Sequence, residues 1–569
     1  MVTDTQRIPS SQEPPQSARV VMVLLFAVFM FYLSLYVNRF YVPESDFFDY
    51  RAKAIELRSL HWPDNFKRPP LYSIAVAAFS VPISGLNREL YSAELIGILA
   101  ALGSLLLLYR IAHHFLQQHG FWIAWLWALH PTTLRMAIKP KPEILVTFLI
   151  LWAFYEFLKK ERRCYFIAFL ATMVRYEGAL VIAAFFVADF LFQRKRLRTL
   201  LIAFSSGLFI LLWTLLQSGG EDGANYSNYF NAYRPNLAFL VTFWEGVLRF
   251  VPPALFKPTV LLSLLLILAG AVQLWGGHRR ELIGLGLFGL GFIAMHIVWP
   301  FSNLDYIVIV NWAALLFIVS GGITIARKSL ATSALLKGLF ASKRFMTLFP
   351  FISATLVLLI ALLLALKKFS YPQFRPNGYL MALFLIPAVL HVLRSVRWLP
   401  AKWGFANAML AILLPLTFYN NSRATADLHD IQYSKAEYRL VGEWYRRHHV
   451  PGFNLAVDQP VIVGYFARIH ENHFIRLVDL PDSAPEELSL WLRQNKVQYI
   501  AWMSTHRVYE SKDAWYSWKR DHRGWHTVSF LQEAKDHPGF QYLETLKAGA
   551  RYANLFQVNP PHRNDHSIE

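Results

Sequence analysis

Long apolar blocks decide what this chain can become. Segments such as 20–37, 200–216 and 260–275 each approach the roughly 20 residues that an α-helix needs to cross a bilayer, and a soluble core cannot absorb so many. Hydropathy places spans at 19–37, 91–112, 120–136, 143–159, 163–174, 176–192, 199–216, 257–275, 281–299, 304–325, 346–366, 379–394 and 401–418, about thirteen in all. The fifth is short, and its junction with the sixth at Arg175 reads as a broken helix. Composition agrees: 55% of the residues are hydrophobic and 16% charged, where soluble domains carry about a quarter charged.

The formal net charge is +19, from 56 Lys and Arg against 37 Asp and Glu. Alone, that surplus would suit nucleic acid or anionic lipid. Here the basic residues collect in short loops between apolar blocks, the pattern that records membrane orientation, so no nucleic-acid partner is expected. With a cytoplasmic N-terminal tail (1–18), the inner loops hold Arg110, the basic groups in 159–163 and 194–198, Arg279, Arg280, and those in 337–344 and 394–402. The block after the tail lacks a small-residue cleavage pattern and reads as a retained span. Within a transmembrane region of 19–418, an odd span count puts loops 38–90 and 217–256 outside the cytoplasm, together with everything beyond 418.

Several basic residues break this rule by falling on the outer side: Lys67, Arg68, Arg135, Lys139, Lys141, Arg175, Lys367 and Lys368. The apolar stretch 71–85, preceded by Pro69 and Pro70 and interrupted by Pro82, is too short to cross and fits an interfacial or re-entrant helix. From about residue 424 the composition turns soluble. Helical stretches 434–449 and 485–495 alternate with strand-like runs 454–457, 474–478 and 498–502, and a hairpin follows over 541–546 and 551–558. These describe a small extracytoplasmic α/β domain over 419–569. The single cysteine, Cys164, excludes an intrachain disulfide and a CxxC metal site.

The first outer loop reads Ser45-Asp46-Phe47-Phe48-Asp49-Tyr50-Arg51-Ala52. Sugar transfer to a hydroxyl needs a carboxylate beside the attacking oxygen, as general base or as holder of a metal. By itself such an Asp reads as a helix cap. The same loop continues with Phe66-Lys67-Arg68-Pro69-Pro70-Leu71-Tyr72. An Asp-x-x-x-Tyr start, then, twenty-odd positions after the Asp, a basic residue and Pro-Pro-Leu-Tyr resembles the first loop of GT-C glycosyltransferases, in the branch of protein mannosyltransferases and lipid A aminoarabinose transferases. His130-Pro131 through Pro142-Glu143-Ile144, Val174-Arg175-Tyr176-Glu177-Gly178 and Asp305-Tyr306 fit that family too.

The resemblance implies a GT-C fold, a polyprenyl-phosphate sugar donor, a bacterial inner membrane, inversion at the anomeric carbon, and Asp46 as the catalytic carboxylate with Asp49 as fallback. Arg68 would face the carrier phosphate. Lys67, Arg135, Lys139, Lys141 and Arg175 are further cations for that phosphate, each with lipid-headgroup snorkelling as the plainer account. Tyr50, Tyr72, Glu143, Glu177, Asp305 and Tyr306 are candidate contacts to sugar or acceptor, with an internal Arg175–Glu177 pair as the plainer reading of those two. Two positions depart from the pattern: Lys67 stands where the lipid A transferases carry an acid, and Asp305 where many relatives carry Arg. No cofactor is assigned and a divalent metal is left open, His130 or His296 with Asp46 or Asp49 being its only visible ligands. The acceptor is open among protein, lipid and glycan. The rival functions are a transporter or flippase for lipid-linked sugar, against which no inverted repeat stands out, and a membrane assembly protein.

Overall fold

The computed structural model describes residues 42–63, 68–85, 87–117, 120–192, 237–249, 256–298, 304–332, 433–508, 524–533, 537 and 539–558, with isolated positions within 26–33 and at 207–208. The first loop supplies α1 (Ser45–Arg58) and α2 (Leu71–Ser80). There follow α3 (Arg88–Leu116), α4 (Gly120–Ala128), α5 (Pro131–Ile138), α6 (Glu143–Leu158), α7 (Arg163–Val174) and α8 (Gly178–Phe192). Then come α9 (Ala238–Val247), α10 (Phe256–Trp275), α11 (Arg279–Val298), a 3-10 turn over Leu304–Ile309, and α12 (Asn311–Thr332).

Among the described residues, α3, α10 and α11, of 29, 20 and 20 residues, are long and apolar enough to cross a membrane. On α10, Leu261, Leu265, Leu268 and Val272 are between 54% and 69% exposed. Such a stripe suits hydrocarbon as its solvent and would be a liability in water. On the inner side of α10, an added Cβ on Gly270 would overlap the Phe317 carbonyl, and one on Gly321 the Leu266 carbonyl. These glycines let α10 and α12 meet backbone to backbone, the way membrane helices pack when hydrophobicity alone cannot drive them together. At the basic end of the bundle, Arg280 joins α11 to α8 through Asp189 at 2.6 Å and also donates to the Phe157 carbonyl at 3.0 Å.

Several expected blocks take a different form. The block 120–136 is not one helix: Pro131 offers no N–H and holds His130 extended, so α4 stops at Ala128 and α5 starts at Pro131. The block 304–325 opens as the 3-10 turn and continues helically to Thr332. The expected break at Arg175 is present. Arg175 is extended, and α8 restarts at Gly178, where a Cβ would overlap the Thr172 backbone nitrogen. The 71–85 stretch forms only the ten-residue α2, which ends before Pro82. The tail 1–18, the blocks 346–366, 379–394 and 401–418, and residues 217–236 lie outside the described residues, as do most of 19–37 and 199–216.

The C-terminal part is a five-stranded sheet in the order β2-β1-β3-β5-β4, with β1 (Asn454–Val457), β2 (Phe474–Arg476), β3 (Val497–Met503), β4 (Phe540–Ala548) and β5 (Arg551–Val558). β1 pairs in parallel with β2 and β3, whereas β5 is antiparallel to both β3 and β4. Period-two alternation sorts the faces. Leu455, Val457, Ala501 and Met503 pack under α13 (Ala436–His448) and α14 (Pro460–Ala467), while Ala456, Ile500 and Trp502 pack against α15 (Pro485–Gln494) and the 526–533 turn. Val42 and Phe48 from the first loop belong to the α13/α14 core, which seats this sheet against α1.

Candidate active site

The first loop, the α5–α6 connection, the α7–α8 break and the 3-10 turn converge in three linked charge groups. In the outermost, Arg68 lies 3.0 Å from Asp46 Oδ1 and 3.8 Å from Asp49 Oδ2. Its guanidinium sits over the Tyr50 ring at 5.2 Å and donates to the Tyr50 hydroxyl at 3.4 Å. Asp46 and Asp49 side chains are about half exposed, at 47% and 49%, so this is the face open to solution. Partial desolvation pushes the Asp46 carboxyl up, but Arg68 and then Lys141 outweigh it and hold the group below its ordinary range. Burial pushes the Tyr50 phenol up to about 12, against the pull of Arg68, so it stays neutral. The Tyr72 ring meets Tyr50 edge-on at 4.8 Å.

The second group is a square of two lysines and two acids. Lys139 lies 2.6 Å from Glu44 and 3.1 Å from Asp305, and Lys141 lies 2.5 Å and 2.9 Å from the same two residues. The backbone explains it: α5 ends at Ile138 and α6 begins at Glu143, and the prolines between them turn both lysines toward one point. Burial pushes the Glu44 carboxyl up; Lys139 and Lys141, followed by Lys435 from the start of α13, hold it well below the usual carboxylate range. Arg135, in the last turn of α5, is close enough for its charge to act on Asp305 and Lys139.

The third group is the deepest. Arg175 donates to Glu143 at 2.9 Å and to Glu177 at 2.7 and 3.0 Å, with Tyr306 under its guanidinium at 4.8 Å. The expected Arg175–Glu177 pair exists, and Glu143 shares it. Of the buried side-chain atoms here, Tyr72 Oη and Glu143 Oε2 have no hydrogen-bond partner. His296 stacks on Phe239 at 5.0 Å, with Nε2 3.9 Å from Glu177. His130 caps α5 by accepting the Thr132 N–H, and its Nε2 faces the Val247 carbonyl. Both imidazoles are therefore engaged away from Asp46, and among the described residues no three His, Cys, Asp or Glu side chains gather as metal ligands.

The candidates singled out in the sequence lie in or beside this assembly, except Lys67, Lys367 and Lys368, which fall outside the described residues. Glu44 and Lys435 were not anticipated. Glu44 had a signal, being an acid between Pro43 and the Asp46 motif; Lys435 had none, because it reaches the site from a different part of the chain.

No family model and no curated protein matches the sequence. Among solved structures, the chain resembles ArnT from Cupriavidus metallidurans in the apo state, with a TM-score of 0.53 and 13% identity over 95% of this chain and 98% of that one. ArnT from the same organism bound to undecaprenyl phosphate matches with a TM-score of 0.53 and 14% identity over the same shares. At such identities the likeness is one of fold: the chain shares the overall architecture of these ArnT structures.

Proposed function

We propose that this chain is an integral membrane glycosyltransferase that moves a sugar from a polyprenyl-phosphate carrier to an acceptor hydroxyl on the extracytoplasmic face, with Asp46 as general base. The observation that carries the reading is the half-exposed Asp46 carboxylate at the open rim of a buried cation group, bonded to Arg68. The acceptor oxygen attacks the anomeric carbon as the bond to the carrier phosphate breaks; its proton passes to Asp46, and configuration inverts. The departing phosphate regains charge, and Arg68 at the rim, with Lys139, Lys141 and Arg175 behind it, stabilises that charge as it develops.

The ion pairs shape this mechanism. A carboxylate held low by Arg68 is a poor base, so Arg68 must turn from Asp46 to the arriving phosphate before Asp46 can accept a proton. Donor binding then both neutralises the phosphate and releases the base. The unpartnered Tyr72 Oη and Glu143 Oε2 fit as contacts to sugar hydroxyls. Asp49, with the same exposure and a longer distance to Arg68, is the alternative base. In this reading the N-terminal tail is cytoplasmic, the transmembrane part spans 19–418 of a bacterial inner membrane, and 419–569 screens the acceptor from outside.

The test is release of polyprenyl phosphate and transfer of radiolabelled sugar from membrane-extracted sugar lipids, by purified wild type and by a folded Asp46→Asn variant. Loss of both activities in the variant supports the reading. Equal activity moves the base to Asp49, and sugar-lipid movement without transfer in wild type overturns the enzyme reading in favour of transport.

A further inference from the structure

The soluble sheet holds a second buried polar group that sugar transfer does not use. From β1 the chain crosses by α14 to β2 on one side and returns by α15 to β3 on the other, so strand order reverses between β1 and β3. In doubly wound sheets that reversal opens a crevice at the carboxyl ends of the strands, where ligands bind. Here β1 is followed by Asp458 and Gln459, and β3 by Ser504, Thr505 and His506, while Glu437 and Tyr438 of α13 and the Trp525 indole close over them.

Part of this group is internally satisfied. Tyr438 and Trp525 donate to Asp458 at 2.8 and 2.9 Å, and Thr505 donates to Glu437. The His506 Nδ1 accepts the Met503 N–H, which leaves the ring proton on Nε2, 3.7 Å from Asp458 and beyond hydrogen-bond reach. Three atoms in side chains at least nine-tenths buried have no partner: Glu437 Oε2, Gln459 Oε1 and His506 Nε2. Buried polar atoms are rarely left so, and three at one strand-end crevice point to a ligand. At the strand ends Gln459, Ser504, Thr505 and His506 keep 5% to 9% exposure and form the mouth, while the Asp458 side chain is fully buried.

We propose that this crevice binds a saccharide. Two acceptors and one donor are open, and a hydroxyl group both gives and accepts a hydrogen bond. Arg551 already lies 4.0 Å from Glu437 and donates to Thr505 at 3.4 Å; an added ammonium would leave the His506 N–H open, and a phosphate would leave the Glu437 and Gln459 oxygens so. The site lies in the soluble domain and does not depend on Asp46 being the catalytic base.

Isothermal titration of the purified full-length protein in detergent tests this, with glucose, mannose and N-acetylglucosamine as probes and ethanolamine and inorganic phosphate as controls. At least one neutral sugar binds. Gln459→Leu and Thr505→Val, each checked for folding by thermal melting, weaken it about tenfold, or 1.4 kcal/mol. Asp46→Asn binds it as wild type does. Binding of ethanolamine or phosphate alone, binding that survives both mouth substitutions, binding lost in Asp46→Asn, or no binding of any probe would each overturn the proposal.

Discussion

Arg68 holds the Asp46 carboxyl low and lies over it in the structure; in the proposed mechanism the same cation also has to serve a phosphate during transfer. If so, the acid limb of the pH profile of kcat/KM in wild type lies low, because the free carboxyl stays ionised well into acid. Arg68→Gln removes the largest lowering influence, so the Asp46 pKa rises and the acid limb moves to higher pH, together with a lower rate. An unmoved limb would mean that another group titrates. Asp46→Asn should slow transfer by about 10²–10⁴-fold, the usual contribution of a positioned base, and Asp49→Asn by about tenfold or less; a reversed ranking in single-turnover assays would exchange their roles.

At the scale of elements, the helix that carries the two acids is held by the C-terminal part of the chain. Phe48, two residues from Asp46, is 7% exposed and meets the Tyr465 ring of α14 edge-on at 5.4 Å. Arg51 lies over the same ring at 4.9 Å, and the Tyr465 hydroxyl donates to Asn87 just before α3. Removing the buried aromatic costs about 3 kcal/mol in a packed core, here paid where α1 docks. Phe48→Ala is therefore expected to speed amide hydrogen exchange over 45–58 and to lower kcat with little change in donor KM. Unchanged exchange would show that α1 is held by the membrane side alone. The α10–α12 contact makes a separate prediction: Gly321→Val forces the backbones apart, and thermal stability in detergent falls by several degrees while the soluble domain's exchange pattern stays as it is.

At the scale of the whole molecule, orientation is the property to test. The only native thiol, Cys164, is 2% exposed, so a cysteine placed at Leu60, which is 96% exposed just after α1, reports alone. Membrane-impermeant maleimide is expected to label Leu60→Cys in intact spheroplasts; labelling only after lysis would reverse the topology. Much of the architecture was legible along the chain. Apolar blocks announce long helices such as α3, α10 and α11, the break at Arg175 was expected, and alternation over short runs gives the strands of the C-terminal sheet, since these signals are local and set by backbone sterics and by which solvent each face meets; the break that Pro131 makes inside 120–136 was missed. The Asp46, Arg68, Lys139, Lys141 and Arg175 motifs were equally visible, because ionisable residues at an apolar boundary are costly enough to stand out. Apart from the local Arg175–Glu177 pair, which acid neutralises which base could not be read there. Glu44 and Asp305 share both lysines across 95 or more residues of sequence, Glu143 reaches Arg175 across 32, and Lys435 enters from the start of α13. Ion pairing falls off with distance in space and is blind to distance along the chain. The residue types were thus set by the sequence itself, while most of their partners, and with them the electrostatic setting of Asp46, were decided only when the helices packed.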